Sequence, residues 1–120
     1  MKVQLPIPPS VNHIFRATRR GTVYRSKKYT DWHKEAELMA STTRKGKKPA
    51  PPYAVTMNII GGHGWRKDRD LDNTWKPVLD LLQHLHLIAE DNCQHITSLT
   101  VTYQPGTGGP AECHVHIRGL

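Results

Sequence analysis

The segment Asp70-Leu71-Asp72-Asn73 sets two carboxylates at alternate positions; Lys76 and Asp80 follow at intervals of four, and Glu90-Asp91 lies further on. Alternate residues of an extended turn point the same way, so Asp70 and Asp72 can converge on one cation while Leu71 turns to the core. If a helix begins at Asp72, Lys76 lies one turn along the same face and Asp80 one turn beyond it. The strand after that helix can fold Glu90 and Asp91 back toward the helix's beginning. Oxygen ligands with open water positions suit Mg²⁺, with Mn²⁺ as a substitute. Such an ion polarises a phosphate and lowers the pKa of a bound water, and a lysine beside it can steady the charge that develops. Together these are the parts of a phosphodiester hydrolase. A plainer alternative is that Asp72 and Asn73 cap the helix while Asp80 pairs with Lys76.

The charge distribution favours a polyanionic substrate. Net charge is +7, and residues 1–48 hold 12 Lys/Arg against 3 Asp/Glu, while residues 49–120 hold 5 against 7. Six of the ten acids fall between Asp68 and Asp91. A module that only binds DNA has little reason to gather carboxylates, which repel phosphate; a nuclease uses them to hold the cation between protein and phosphate. Candidate DNA contacts in the basic half are Arg16, Arg19, Arg20, Arg25, Lys27, Lys28 and the 44–48 cluster. Beside the aspartates, Arg66, Lys67 and above all Arg69 are placed to meet phosphate.

Around these residues the hydrophobic pattern predicts the order β-α-β-α-β-β in one domain, residues 1–120, of α+β (mixed α/β) class. Val3, Leu5 and Ile7 alternate as a half-buried strand that Pro8-Pro9-Ser10 stops. A basic arm follows, with a short hairpin around Gly21–Tyr24. The first helix is expected from about Thr30, its N-cap, to Thr43, with Trp32, Ala36, Met39 and Thr43 on one face. Val55, Met57 and Ile59 face inward from a strand at Tyr53–Ile60. A second helix from Asp72 or Asn73 to His86 carries the stripe Trp75, Val78, Leu79, Leu82 and Leu85, with Pro77 in its first turn. Strands near Ile96–Tyr103 and Glu112–Arg118 close the chain, Cys113, Val115 and Ile117 sharing one face.

Composition excludes other classes. No run of about 18 apolar residues offers a membrane span, and the opening MKVQLPIPPS has no signal-peptide core. Cys93 and Cys113 are too few for a disulfide framework and lack CxxC spacing. They read as reduced, buried thiols in a reducing cytoplasm. Eight histidines raise a zinc alternative. His84 and His86 face apart on a helix, whereas His114 and His116 share a strand face that Cys93 or His95 could approach. No HExxH or CxxC supports it.

The element Arg69-Asp70-Leu71-Asp72-Asn73, with Lys76, Asp80, Leu81 and Leu82 and then Ile88 to Gln94, resembles the signature of RusA-type Holliday-junction resolvases. Pro8-Pro9-Ser10-Val11-Asn12 resembles the family's PPS-x-N motif, and Tyr29 falls where the family has a tyrosine. The resemblance implies a homodimer, bacterial or phage-encoded, that binds four-way junction DNA and nicks opposing strands with Mg²⁺ or Mn²⁺ in recombination and repair. It assigns catalysis to Asp70, Asp72, Lys76 and Asp91, with the three aspartates as metal ligands and Asn12 among the DNA contacts. Asp80 and Glu90 are supporting residues; Glu90 stands where Asp is usual and carries a longer arm. His13 departs from the aromatic or polar residue that commonly follows the Asn. The rival from another class is a non-catalytic, structure-selective DNA-binding module of the same fold; flaps or forks are rival substrates for the same site.

Overall fold

The computed structural model describes residues 1–10 and 14–120; Asn12, expected to touch DNA, lies outside the described residues. Among the described residues, the elements run in the order β1 (Lys2–Leu5), β2 (Phe15–Ala17), β3 (Val23–Arg25), α1 (Lys27–Thr43), β4 (Tyr53–Ile60), a 3-10 turn (Asp72–Thr74), α2 (Trp75–His84), β5 (Ile96–Gln104) and β6 (Glu112–Gly119). Four strands form one mixed sheet in the order β1-β6-β4-β5, and β2 and β3 form a separate hairpin. The α+β single-domain expectation holds, with the hairpin inserted between the first strand and the first helix.

Alternation in the sequence builds the core. Val55, Met57 and Ile59 of β4 and Cys113, Val115 and Ile117 of β6 are buried on one face. In register they meet as Val55 with Ile117, Met57 with Val115 and Ile59 with Cys113. Val3 and Leu5 extend the same face through Val115 and Cys113. Each fully buried aliphatic side chain there contributes roughly 1.5–3 kcal/mol. The opposite face carries Gln4, Thr56, Asn58, His114 and His116 around a depression of about 570 Å³.

Two boundaries differ from the sequence expectation. Helix α1 starts a turn earlier than Thr30, because Ser26 rather than Thr30 caps it: the Tyr29 amide donates to Ser26 Oγ at 3.1 Å. The added turn buries Tyr29, and the covered face becomes Tyr29, Trp32, Ala36 and Ala40. Met39 and Thr43 are only partly covered. Thr43 instead ties the helix to the sheet, its Oγ1 accepting from the Gln4 amide at 2.9 Å. Trp32 Nε1 donates to the Pro6 carbonyl at 3.0 Å.

Helix α2 begins at Trp75 behind the 3-10 turn, which places Pro77 in the first helical turn, where its missing amide costs nothing. It ends at His84, two residues before the expected His86, which sits at φ 58°. Pro77, Val78, Leu79, Leu81 and Leu82 are buried, while Trp75 and Leu85 pack at the margin. The cysteines divide: Cys113 lies in the core, but Cys93, also expected to be buried, is exposed in the turn before β5. Burial pushes the Cys113 thiol up to about 12.

Strands β4 and β5 run parallel, so α2 is their crossover and runs back against both. The segment after β4 therefore sits at one end of the sheet, and the segment before β5 at the other.

Candidate active site

At the end where β4 stops, three rings and planes stack. Trp65 lies against Tyr103 of β5 at 6.1 Å between centroids, and the Arg69 guanidinium sits 4.7 Å from the Trp65 ring. Arg69 Nε donates to Asn73 Oδ1 at 3.4 Å, tying the basic loop to the 3-10 turn. Its Nη2 is buried and finds no hydrogen-bond partner among the described residues. Burial lowers the Arg69 pKa, with the neighbouring Cys113 opposing the shift. A guanidinium oriented by stacking, with an unused buried donor, has the chemistry to bind a phosphate oxygen.

Beside it opens a pocket of about 310 Å³ whose wall includes Ser10, Lys28, Arg66, Arg69, Asp70 and Asn73. Residues from four separate parts of the chain thus meet: the PPS element, the first turn of α1, the basic loop and the acidic turn. Asp72 is exposed on the 3-10 turn, and no side chain caps either that turn or α2. The alternative in which Asp72 serves as a helix cap is therefore not what the structure has. The other half of that alternative is present: Lys76 Nζ sits 3.1 Å from Asp80 Oδ1.

Of the ten acids, six are engaged. Asp31 pairs with Lys27, Glu37 with His33 and His84, Asp68 with Arg66, and Asp80 with Lys76. Glu90 accepts from Asn92 Nδ2 at 2.6 Å, and Glu112 contacts Gln4 and His114. Among the described residues, only Glu35, Asp70, Asp72 and Asp91 have carboxylates with neither a hydrogen bond nor an ion pair. Three of those four are the acids singled out by the sequence for metal binding.

The family profile described as Endodeoxyribonuclease RusA matches residues 6–118. The chain belongs to the RusA endodeoxyribonuclease family. A comparison with curated proteins finds no match. Membership covers the chain from the PPS element to the last strand, and implies an endonuclease that binds and resolves Holliday junctions. Among the described residues, no helix is long and apolar enough to cross a membrane.

Within this RusA-family fold the expected DNA contacts separate into two groups. Arg66, Arg69 and Lys28 border the acidic pocket, and Lys67 lines a neighbouring depression together with Trp65 and Tyr103. Arg16, Arg19 and Arg20 ride on the β2–β3 hairpin, which is exposed along its whole length together with Phe15, Val23 and Tyr24. Lys27 is exposed and bridges to Asp31 at 3.4 Å.

Glu90 and Asp91 are not brought to Asp70 and Asp72 within one chain. The Leu87 and Ile88 amides bond back to the Leu82 carbonyl, holding the following turn at the far end of α2. The His95 carbonyl then accepts from the Tyr53 amide where β4 begins. A helix of ten residues, about 15 Å long, stands between the two acidic segments. Only one trio of His, Cys, Asp or Glu among the described residues has ligand atoms within 4.8 Å of one another: His33, Glu37 and His84. The sequence reading missed that trio. The i, i+4 spacing of His33 and Glu37 was legible; the approach of His84 from a second helix was not.

Proposed function

We propose that the chain is a Mg²⁺-dependent junction resolvase, with Mn²⁺ able to substitute, acting as a homodimer that makes paired symmetric nicks. One observation carries the reading: Asp70, Asp72 and Asp91 are exposed carboxylates with no partner among the described residues, in a fold where most other acids are engaged. An all-carboxylate donor set open to water fits a hard dication. When bound, that ion would supply charge for the scissile phosphate and an acidified water. Arg69, fixed on Trp65 with an unused buried donor, orients the phosphate. Lys76, steadied by Asp80, stands one helical turn from Asp72 to balance charge on the departing oxygen.

The separation of Asp91 from Asp70 and Asp72 favours a site completed by a second chain. Strand β5 is an edge strand that leaves Leu99 and Tyr103 exposed, an apolar rim of the kind a partner covers. Two-fold pairing of β5 with its copy would be antiparallel. It would set the Asp91 end of one strand against the Tyr103 end of the other, beside the partner subunit's Asp70. A dimer so built holds two equivalent sites, as paired nicking of a symmetric junction requires. The exposed β2–β3 ribbon has the width of element that a major groove admits, and its arginines would grip the DNA arms. A free, exposed Cys93 suits a reducing cytoplasm, bacterial in origin or phage-encoded.

The test is cleavage of a labelled four-way junction beside linear duplex, with Mg²⁺ and with EDTA. Symmetric paired nicks that need the metal and spare the duplex are expected. Binding without cutting under any divalent ion would instead identify a structure-selective binding module, and equal cutting of flaps or forks would broaden the substrate.

A further inference from the structure

His33 and Glu37 lie one turn apart on α1, and His84 is the last residue of α2. His84 Nε2 is 2.8 Å from Glu37 Oε1, and His33 Nδ1 is 3.4 Å from the same oxygen. The two imidazoles meet edge to face, 4.8 Å between centroids. We propose that these three side chains form a second metal site, for a transition-metal dication of the Zn²⁺ class, that clips α2 to α1.

The geometry is close to what such an ion needs. Bonds of about 2.0–2.1 Å in a tetrahedron set neighbouring ligand atoms about 3.3 Å apart. Two edges of the trio are already near that spacing, and all the ligand atoms lie within 4.8 Å of one another. Two imidazoles and a carboxylate select Zn²⁺, Cu²⁺ or Ni²⁺ over Mg²⁺. The His33 ring is lodged against Tyr29 and Trp32, at 5.9 and 6.4 Å between centroids, so one ligand is oriented before the metal arrives. The carbonyl end of α2, where His84 sits, carries the negative pole of the helix dipole and favours a cation. His84 is 60% exposed along its side chain, leaving water access for a fourth ligand. The set is distinct from the aspartates in place and in chemistry: Asp72 precedes the first turn of α2 and His84 closes its last, so the helix, about 15 Å long, lies between them. A metal at the clip would tether the helix that carries Lys76 to the middle of α1.

The experiment uses untagged, chelator-stripped full-length protein in excess Mg²⁺, with Zn²⁺ titrated against a chromophoric chelator. Co²⁺ replaces it for a visible d–d spectrum, and the Tm is followed throughout. Wild type should take up one Zn²⁺ per chain, give a tetrahedral Co²⁺ band and rise in Tm by at least about 5 °C. His84→Ala and Glu37→Gln, both at accessible positions, should each weaken Zn²⁺ by more than the roughly tenfold to hundredfold that loss of an outer-shell partner costs. Asp70→Asn should leave uptake unchanged. Uptake indifferent to His84→Ala and Glu37→Gln, uptake lost in Asp70→Asn, or no Zn²⁺ bound by wild type would each overturn the proposal. Cleavage is not the readout, so this result and that of the junction assay stand or fall separately.

Discussion

The two groups of side chains proposed to hold metal in this fold are built on opposite plans. His33, Glu37 and His84 are packed side by side on two helices, each already in contact with another. Asp70, Asp72 and Asp91 are spread over a loop, a 3-10 turn and a post-helical turn, none bonded to another of the described residues. The contrast follows from what each would hold. A borderline-soft ion takes most of its ligands from protein and needs them converged in advance. A hard ion in a nuclease keeps several waters and takes other oxygens from the substrate phosphate, so an open set of carboxylates is sufficient until DNA binds. A converged cluster is thus not by itself a sign of the catalytic centre, nor a dispersed one a sign of its absence.

The largest effect should come from removing a carboxylate of the dispersed group. Asp70→Asn or Asp72→Asn is expected to lower single-turnover junction cleavage by roughly a thousandfold or more, while gel-shift affinity holds or tightens because negative charge facing phosphate is lost. Cleavage near wild type would sink the assigned site and with it the contrast drawn above.

Mixing chains sharpens the same point. Neither Asp70→Asn nor Asp91→Asn alone should cut. If Asp91 serves its partner's site, a mixed dimer keeps one intact site, composed of Asp70 and Asp72 from the Asp91→Asn chain and Asp91 from the other. Refolded mixtures should then nick one strand of the junction. Mixtures as silent as their parents, under conditions where chains demonstrably exchange, would place Asp91 with Asp70 and Asp72 in one chain.

Such a test is needed because the sequence says nothing about which way β5 runs beside β4. The alternation of Val55, Met57 and Ile59, and of Cys113, Val115 and Ile117, marked the buried face of the sheet correctly. Pro77 pinned the start of α2 to within a turn. Strand direction is a long-range property, however, and it alone decides that Glu90-Asp91 lies at the far end of α2 instead of folding back. The start of α1 failed for a local reason: Thr30 and Ser26 are both competent caps, and only the burial of Tyr29 selects Ser26. The pairing of His84 with Glu37 depended on α1 packing beside α2, which periodicity cannot supply. What was legible at the candidate site was chemistry in one stretch of chain; what was not was anything requiring two stretches to meet, such as Ser10 and Lys28 beside Asp70.

A smaller effect is expected at Lys76. It is half exposed and held by Asp80, so Lys76→Ala removes a charge that matters most when the transition state forms. Cleavage at saturating enzyme should fall by about a hundredfold to a thousandfold, with junction affinity changed severalfold at most. A loss in affinity alone would make Lys76 a DNA contact. Asp80→Asn, which frees the lysine without removing it, should cost less.

The smallest effect belongs to the hairpin, which has neither group's chemistry. Arg19 and Arg20 sit at its exposed turn, where Thr22 donates to Thr18 and Gly21 takes the positive φ of 84° that closes it. No acid is paired with either arginine among the described residues, so any phosphate contact they make comes without breaking an ion pair. Each neutralised phosphate contributes about 0.9 to the slope of log affinity against log salt. Arg19→Ala and Arg20→Ala should therefore each flatten that slope by about 0.9, for junction and duplex alike, because backbone phosphates carry no sequence and little shape. A slope that stays put would mean that the ribbon does not reach the DNA arms. A change confined to the junction would move these arginines from general grip to recognition of the branch point, and bring the hairpin into the same functional unit as the acidic turn.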